Sequence, residues 1–442
     1  MQVTKTLAEF VTSTNIDDLP KEVIDEAKLC FLDWLAVTLA GANDPEVNSV
    51  IELVELVGGK EQATVLGRNI RTSILNTALL NGMISHVLDF DDTSIEFLGH
   101  PSVTLFPCLL AVSEWKQDCG MDFLGAFVIG FEMGCRVALG ATVNHYLAGW
   151  HGTSTIGHFS STAGCAKLLG LNTEQLVYAL GAAGTQAAGI KTVFGTSCKP
   201  LHAGKACFNG LLSALLAQKG FTSIENILEG EKCFWDMFST DWDAEKALDD
   251  LGKKWNILGN KYKVHASCYE THPSIEAALA LKKAYSIDPN RIQKIDIHVL
   301  PPVLEMAGKE KPSKALEGKF SITYSVANAI LREDTGIAAF TDEKVNDPEV
   351  ITLRDKIQVI PSDQVSPFEA DVIIYTDSSS YQKRLDILQH LMDDKEKKDK
   401  ILTKFRSLAA FILDKDRIEE IIRRVENLEK EESMADVVRL MT

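Results

Sequence analysis

Eight of the ten histidines lie between His86 and His272, half of them beside glycine, proline or threonine. Six of the eight fall in four short clusters. The first is His86-Val-Leu-Asp89-Phe-Asp91-Asp92-Thr93, followed by Gly99-His100-Pro101-Ser102; the second is Gly149-Trp150-His151-Gly152-Thr153. The third is Cys198-Lys199-Pro200-Leu201-His202-Ala203-Gly204-Lys205, and the fourth runs from Lys263 through His265, Ser267, Cys268 and Thr271 to His272-Pro273. Histidine changes charge near neutral pH, and lysine supplies a compact positive charge. Three carboxylates within the four residues from Asp89 to Asp92 repel one another unless they cap a helix, bind a cation or shift one another's pKa. Asp91 and Asp92 read as helix caps. His100, between Gly99 and Pro101, sits on irregular backbone, where a side chain is commonly aimed at a site. Any one of these histidines is more commonly structural, but four such loops together favour one polar pocket doing acid–base chemistry on an anion.

Competing motifs fail on their own terms. His202-Ala203-Gly204-Lys205-Ala206 lacks both the first glycine of a phosphate loop, where Lys199 stands, and the Ser/Thr that follows its lysine. Gly181–Gly189 is rich in glycine and alanine without dinucleotide spacing or a preceding strand, so close helix packing accounts for it. His265, Cys268 and His272 have metal-like spacing but no evident fourth ligand. No metal and no organic cofactor is therefore expected.

The elements that must position these clusters belong to a chain of 442 residues, 45% hydrophobic and 24% charged, which is the make-up of an ordinary folded protein. Its net charge of -17 opposes a polyanion, so nucleic acid and anionic membrane surface are excluded as partners, and an anion site must be a local basic pocket. The longest apolar run, Phe123–Phe131, is far short of a bilayer span of about 20 residues. The N-terminal segment lacks an apolar signal core, and nine cysteines form no Cys-x-x-Cys pair; both point to a cytoplasmic, reduced protein. Helical periodicity dominates the first 260 residues or so, beginning with Lys21–Ala42 and continuing through segments near 45–57, 70–87, 101–116, 120–142, 155–170, 173–188 and 201–219. Within 120–142, Glu132 and Arg136 lie at i,i+4 and can neutralise each other, and Gly130 with Gly134 lets another helix approach. After about residue 270 the pattern changes. Ile292–Val303 alternates like a strand, Lys356–Ile360 and Ala370–Thr376 are β-rich, and 274–286, 320–333 and 343–354 read as helices. Beyond Ser380 the chain reads as helical and charged, with Asp393–Lys400 a solvated face.

The series HVLDFDDT, GHPSV, GWHGTSTIGH, SCKPLHAGKA, CYETHPS and EGKFSITYSVANAIL resembles the 2-methylcitrate dehydratase / cis-aconitate decarboxylase family, often called MmgE/PrpD, in order and over nearly the whole chain. The resemblance implies a mainly α fold: a large all-α domain from residues 1–268 and 402–442, and a smaller inserted α+β lid domain over 269–401. It also implies a homodimer, a small di- or tricarboxylate substrate, and no cofactor. Carried over by motif, Asp89, His100, Lys263 and Tyr324 are the catalytic candidates. Thr93, His151, Lys199, His202, Cys268 and His272 are the substrate-binding ones. In this scheme Lys199 and Lys263 anchor carboxylates, His100 moves the proton, Asp89 orients a histidine or shares a proton, and Tyr324 donates from the lid. Cys268 stands where some decarboxylases place a histidine, Val264-His265-Ala266 replaces the usual aromatic-proline, and the loop from Thr93 to His100 is a residue longer than in the animal decarboxylases. Elimination of water from a 2-methylcitrate-like substrate comes first among the implied reactions. Decarboxylation of cis-aconitate and epimerisation of iminodisuccinate are the alternatives, the short chain leaning toward the epimerases. A silent dimeric helical scaffold is the non-enzymatic reading.

Overall fold

Runs of apolar residues at helical spacing, closed by polar caps and glycines, fold into a mainly α architecture. The computed structural model describes residues 2–389 and 393–441. The principal helices of the first part are α1 (Lys21–Gly41), α2 (Ile74–His86), α3 (Ser102–Lys116), α4 (Gly120–Leu147), α5 (Gly152–Leu169), α6 (Thr173–Gly184) and α7 (Cys198–Gln218). Between α1 and α2 lies an antiparallel hairpin of two three-residue strands, β1 (Ala63–Val65) and β2 (Ile70–Thr72), so this part is not purely helical. Strands that short carry too few residues to show alternation in a sequence.

α4 is long and apolar enough by composition to cross a membrane, but 94% of its most apolar stretch is buried inside the protein. It is the central core helix. Phe127 on α4 stacks on Phe106 of α3 with ring centroids 3.8 Å apart, and Phe31 of α1 closes the cluster at 5.1 Å from Phe106. The expected internal ion pair is present: Arg136 Nε donates to Glu132 Oε1 at 2.6 Å, and the Asn256 backbone N–H reaches the other carboxylate oxygen at 2.8 Å. Satisfying both oxygens is what makes a buried carboxylate tolerable.

The packing that matters most for the site is α2 against α7. A Cβ on Gly82 would lie 2.7 Å from the Gly204 Cα, a separation no side chain could occupy. Two facing glycines let these backbones touch, which brings the end of α2 (His86) beside the start of α7 (Lys199, His202). Gly204, part of the abortive phosphate-loop motif, is thus a packing residue.

The second part comprises α8 (His272–Tyr285), β3 (Ile292–Val299), α9 (Ile322–Arg332), α10 (Pro348–Arg354), β4 (Ile357–Pro361), β5 (Glu369–Thr376) and β6 (Ser380–Asp386). The sheet order is β4-β3-β5-β6, with β3 and β4 parallel and the other pairs antiparallel. Register aligns Ile295 with Ile357 and Ile374, and Ile297 with Val359 and Val372, giving one apolar face, while α8 packs over β5 and β6. Two expectations are corrected here. The β3 strand stops at Val299, because Pro301 and Pro302 open a short helix, a position where the missing N–H costs nothing. The segment from Ser380 to Asp386, expected to be helical, is the edge strand β6; Lys383 stands on the same face as Tyr381 and Leu385, which masks the alternation.

Two further helices, α11 (Asp394–Ala409) and α12 (Lys415–Glu426), complete the chain. α11 packs on α1 through Lys397–Glu26 at 2.6 Å and Lys404–Asp33 at 2.7 Å. The charge run at its start is therefore only partly a solvated face.

Candidate active site

α2 ends at His86, and three residues later Asp89 takes a left-handed backbone conformation (φ 49°), which aspartate tolerates better than most residues. That turn points both its carboxylate and its carbonyl inward. Asp89 Oδ1 accepts Lys199 Nζ at 2.6 Å and Lys263 Nζ at 2.9 Å, and its carbonyl accepts Lys263 again at 2.8 Å. All three residues are buried. Burial alone would raise the Asp89 pKa; Lys199 and Lys263 overcome it and hold the carboxyl far below the usual range. Conversely, Lys263 stays above its ordinary value despite burial, because Asp89 and Asp91 face it. Asp89 is thus placed as the counter-ion of the two lysines, and its side-chain partners are Lys199 and Lys263 and not a histidine.

The orienting role belongs to Asp91. His86 Nδ1 lies 3.0 Å from Asp91 Oδ1, and His100 Nδ1 lies 2.9 Å from Asp91 Oδ2 and 2.8 Å from the Asp92 carbonyl. With only oxygen acceptors around each Nδ1, both rings carry their proton there, leaving Nε2 as the basic atom. His86 is fully buried, which depresses its pKa to about 4 even though Asp91 acts to raise it. Asp91 itself is held low by the two histidines against the effect of burial. The helix-cap expectation therefore fails for Asp91. It holds for Asp92, whose Oδ1 accepts the Ser102 N–H at the first turn of α3 at 3.2 Å and whose Oδ2 accepts the Ser102 hydroxyl and the Asn260 amide at 2.6 Å each. Burial raises Asp92 to about 7.

A cavity of about 440 Å³ opens beside this network. Its wall includes Asp89, Thr93, His100, His151, Lys199, Lys263 and Cys268 among the expected residues. His151 precedes α5 and directs Nδ1 to His202 Nδ1 at 2.9 Å, so His202 stands behind His151 and not in the wall. Burial lowers both, His202 to about 4. The Cys268 thiol donates to Glu270 at 2.7 Å, and burial pushes its pKa well up.

Two expected residues are elsewhere. Tyr324 is buried within the sheet-containing part, its hydroxyl donating to the Ala339 carbonyl and its ring edge-on to Phe340; it does not line the cavity. His272 is also outside the wall, its Nε2 3.4 Å from the Ser267 carbonyl. Residues of the same motif as Tyr324 reach the site instead. Lys319 donates to the Leu88 carbonyl, burial lowering its pKa to about 8, and Phe320 lies 4.9 Å from the Lys199 ammonium. The lysine in EGKFS was the available signal, outweighed by the tyrosine after it. His86 was likewise visible in the first cluster without a role.

Among the described residues, His86, Asp89, Asp91 and His100 place potential metal-ligand atoms within 4.8 Å of one another. The charge balance disfavours a cation there: Asp89 already faces two ammonium groups, and a divalent ion would meet both. In the other metal-like spacing, His265 is held by Thr335 at 2.7 Å and Glu276 at 3.0 Å, and among the described residues it forms no three-ligand group with Cys268 and His272.

Comparison with known proteins identifies the family. The profile of the MmgE/PrpD N-terminal domain matches residues 5–247, and that of the MmgE/PrpD C-terminal domain matches residues 265–430. The cis-aconitate decarboxylase-like protein oryM of Aspergillus oryzae is 26% identical over 100% of this chain and 97% of its own. The cis-aconitate decarboxylases of Aspergillus terreus and Mus musculus are each 26% identical over 99% of this chain, and over 96% and 93% of their own lengths. With both domain profiles matched across the chain, and with the clustered lysines and histidines at their junction, the chain belongs to the MmgE/PrpD family.

Proposed function

We propose that this MmgE/PrpD-type lyase binds a small di- or tricarboxylate in the 440 Å³ cavity and transfers a proton next to one of its carboxylates through His100. The observation that carries the reading is the Asp89 clamp. It places two buried lysine amino groups in the cavity wall, yet Lys199 spends one of its three N–H donors on Asp89 and Lys263 two. The remaining donors suit a substrate carboxylate, with Thr93 and His151 in the same wall. Asp91 orients His100 so that Nε2 does the chemistry, much as the buried carboxylate orients histidine in hydrolytic triads.

Two outcomes compete within this class. The family resemblance puts elimination of water from a 2-methylcitrate-like substrate first; the names of the relatives favour decarboxylation of cis-aconitate, and we adopt the latter as the leading reading. In that reaction the bond to the departing carboxylate breaks, its electron pair shifts through the double bond, and the far alkene carbon takes a proton from protonated His100. The lysines stabilise the charge that develops on the remaining carboxylates. Following the family resemblance, we also assign the sheet-containing part as a lid over the helical domain and the native state as a homodimer.

The test is incubation with cis-aconitate, 2-methylcitrate, citrate and iminodisuccinate in deuterium oxide, followed by NMR. Decarboxylation should release carbon dioxide and leave one deuterium in the product. Loss of water or inversion would move the chain to the dehydratase or epimerase reading. Neither turnover nor exchange with all four would overturn the polycarboxylate assignment.

A further inference from the structure

Three successive carbonyls in the turn after α2 each accept a lysine from a different part of the chain. Lys319 takes the Leu88 carbonyl, Lys263 that of Asp89 at 2.8 Å, and Lys404 that of Phe90 at 2.5 Å. The turn lies just past a helix end, where carbonyls have no intrahelical donor. Lys263 lines the active-site cavity. Lys404, on α11, is not in that wall; it lines a separate cavity of about 800 Å³ that shares Lys263 with the first.

The count of donors separates its role from that of the other lysines. Lys404 Nζ donates to Asp33 Oδ1 at 2.7 Å, to the Phe90 carbonyl and, at 3.3 Å, to the carbonyl of Lys263 itself. It also lies 4.0 Å over the Phe90 ring. All three N–H donors are spent within the protein, so none is left for a substrate. Asp33, buried in α1, fixes the lysine tip. The other two acceptors are backbone atoms on either side of the Asp89–Lys263 pair: Phe90 follows Asp89 in the chain, and Lys263 is the other member.

We propose that Lys404 is a positioning residue, tying the backbone of the Asp89 turn to the backbone of Lys263 and so setting where the two side chains meet. This rests on the reading of Lys263 as a carboxylate anchor and adds what holds the anchor in place. A flexible lysine stem does not fix its own tip; a pin between the two backbones does. The same helix supplies a contrast. Lys397 pairs with Glu26 of α1 at 2.6 Å and bonds to neither backbone.

Two matched double variants of the full-length protein separate positioning from plain attachment of α11. Asp33→Asn/Lys404→Met removes the pin without stranding a buried carboxylate, and Glu26→Gln/Lys397→Met removes the neighbouring attachment. Both should lower Tm to a similar extent. Acetylation by trace acetic anhydride, read residue by residue in a mass spectrometer, should rise several-fold at Lys263 in the first variant only. Calorimetric binding of cis-aconitate should weaken about 10-fold in the first variant only, the lower end of the loss when an outer partner that orients a binding group is removed. Its kcat should change less than about threefold, because Ser102 and Asn260 hold the Asp92 end of the turn beside His100. Lys404→Gln, which keeps most of the stem and one amide donor group, carries the same readings if the double variant does not fold. Unchanged acetylation of Lys263 without the pin, or an equal rise in both double variants, would overturn the proposal. A rise confined to the first variant with unchanged binding would leave the pin standing and sink the reading of Lys263 as an anchor. A fall in kcat with normal binding would put the pin's effect on His100 and also count against the proposal.

Discussion

Two histidine clusters in this protein have the same internal spacing and opposite consequences. His86 and His100 have ring centroids 4.7 Å apart, and so do His265 and His272. In the first pair a single carboxylate, Asp91, takes Nδ1 of both rings, so Nε2 of His86 is left without a partner and His100 reaches the cavity. In the second, Thr335 and Glu276 occupy both nitrogens of His265, and the backbone of Ser267 faces His272. Proximity of rings is therefore not the mark of a site. The mark is which polar atoms the surrounding structure leaves unspent.

The largest expected difference is in turnover. His100→Gln should lower kcat about 100-fold or more with near-normal substrate affinity, since positioned acid–base groups contribute roughly 10²–10⁴. Steady-state kinetics beside calorimetric binding checks this, and normal turnover would pass the proton-transfer role to Lys263.

Next in size is Asp91→Asn, which keeps the shape but removes the acceptor that fixes two imidazole tautomers. A drop on the order of 10–100-fold in kcat is expected, the usual scale for groups that orient a functional histidine. Asp92→Asn should cost less, because the Asp92 side chain holds Ser102 and Asn260 and touches neither ring. Equal effects of the two would erase the distinction between orienting and capping carboxylates.

A smaller effect concerns charge. Burial lowers Lys319 to about 8, so its ammonium is lost as pH rises through that value, and with it part of the positive potential near Lys199 and Lys263. KM for the polycarboxylate should rise several-fold between about pH 7 and 9, in line with the worth of a single charge contact. Lys319→Met should show the weaker binding at both pH values and no step between them.

The smallest difference is expected in the second cluster: His272→Asn should change kcat/KM by less than about threefold, and a larger loss would return His272 to the binding set. Acid does not separate the clusters. Burial depresses His86 to about 4, His202 to about 4 and His272 well below 6.5. Folded-state values below the unfolded 6.5 mean stability that is present above pH 6.5 and lost progressively toward pH 4. Asp92, raised from 3.8 to about 7, acts in the opposite direction across that range, so the net slope is shallower than the histidines alone would produce. Thermal melts from pH 7 to 4 should show a falling Tm; a Tm that holds to pH 4 would mean these rings are not buried neutral.

Much of the molecule was legible in its sequence because the signals were local. Helical periodicity and caps marked α1 to α7 within a few residues, the i,i+4 spacing of Glu132 and Arg136 foretold their ion pair, alternation marked β3, and β-rich composition marked β4 and β5. The four loops that supply Asp89, His100, His151, Lys199 and Lys263 could be named from residue type and flanking glycine or proline. What only the tertiary structure decided was which atom meets which. Asp89 and Asp91 are two residues apart and chemically alike. One became a clamp for lysines from α7 and from residue 263, the other a bridge between histidines, because a left-handed turn at Asp89 sends their side chains to different neighbours. Likewise Tyr324 and Lys319 share one motif, and the direction in which α9 enters its own core buried the tyrosine and left the lysine at the junction. Residue type and spacing are properties of the chain. Direction and pairing across more than a hundred residues arise only when packing, such as Gly82 against Gly204, sets the distance between helices.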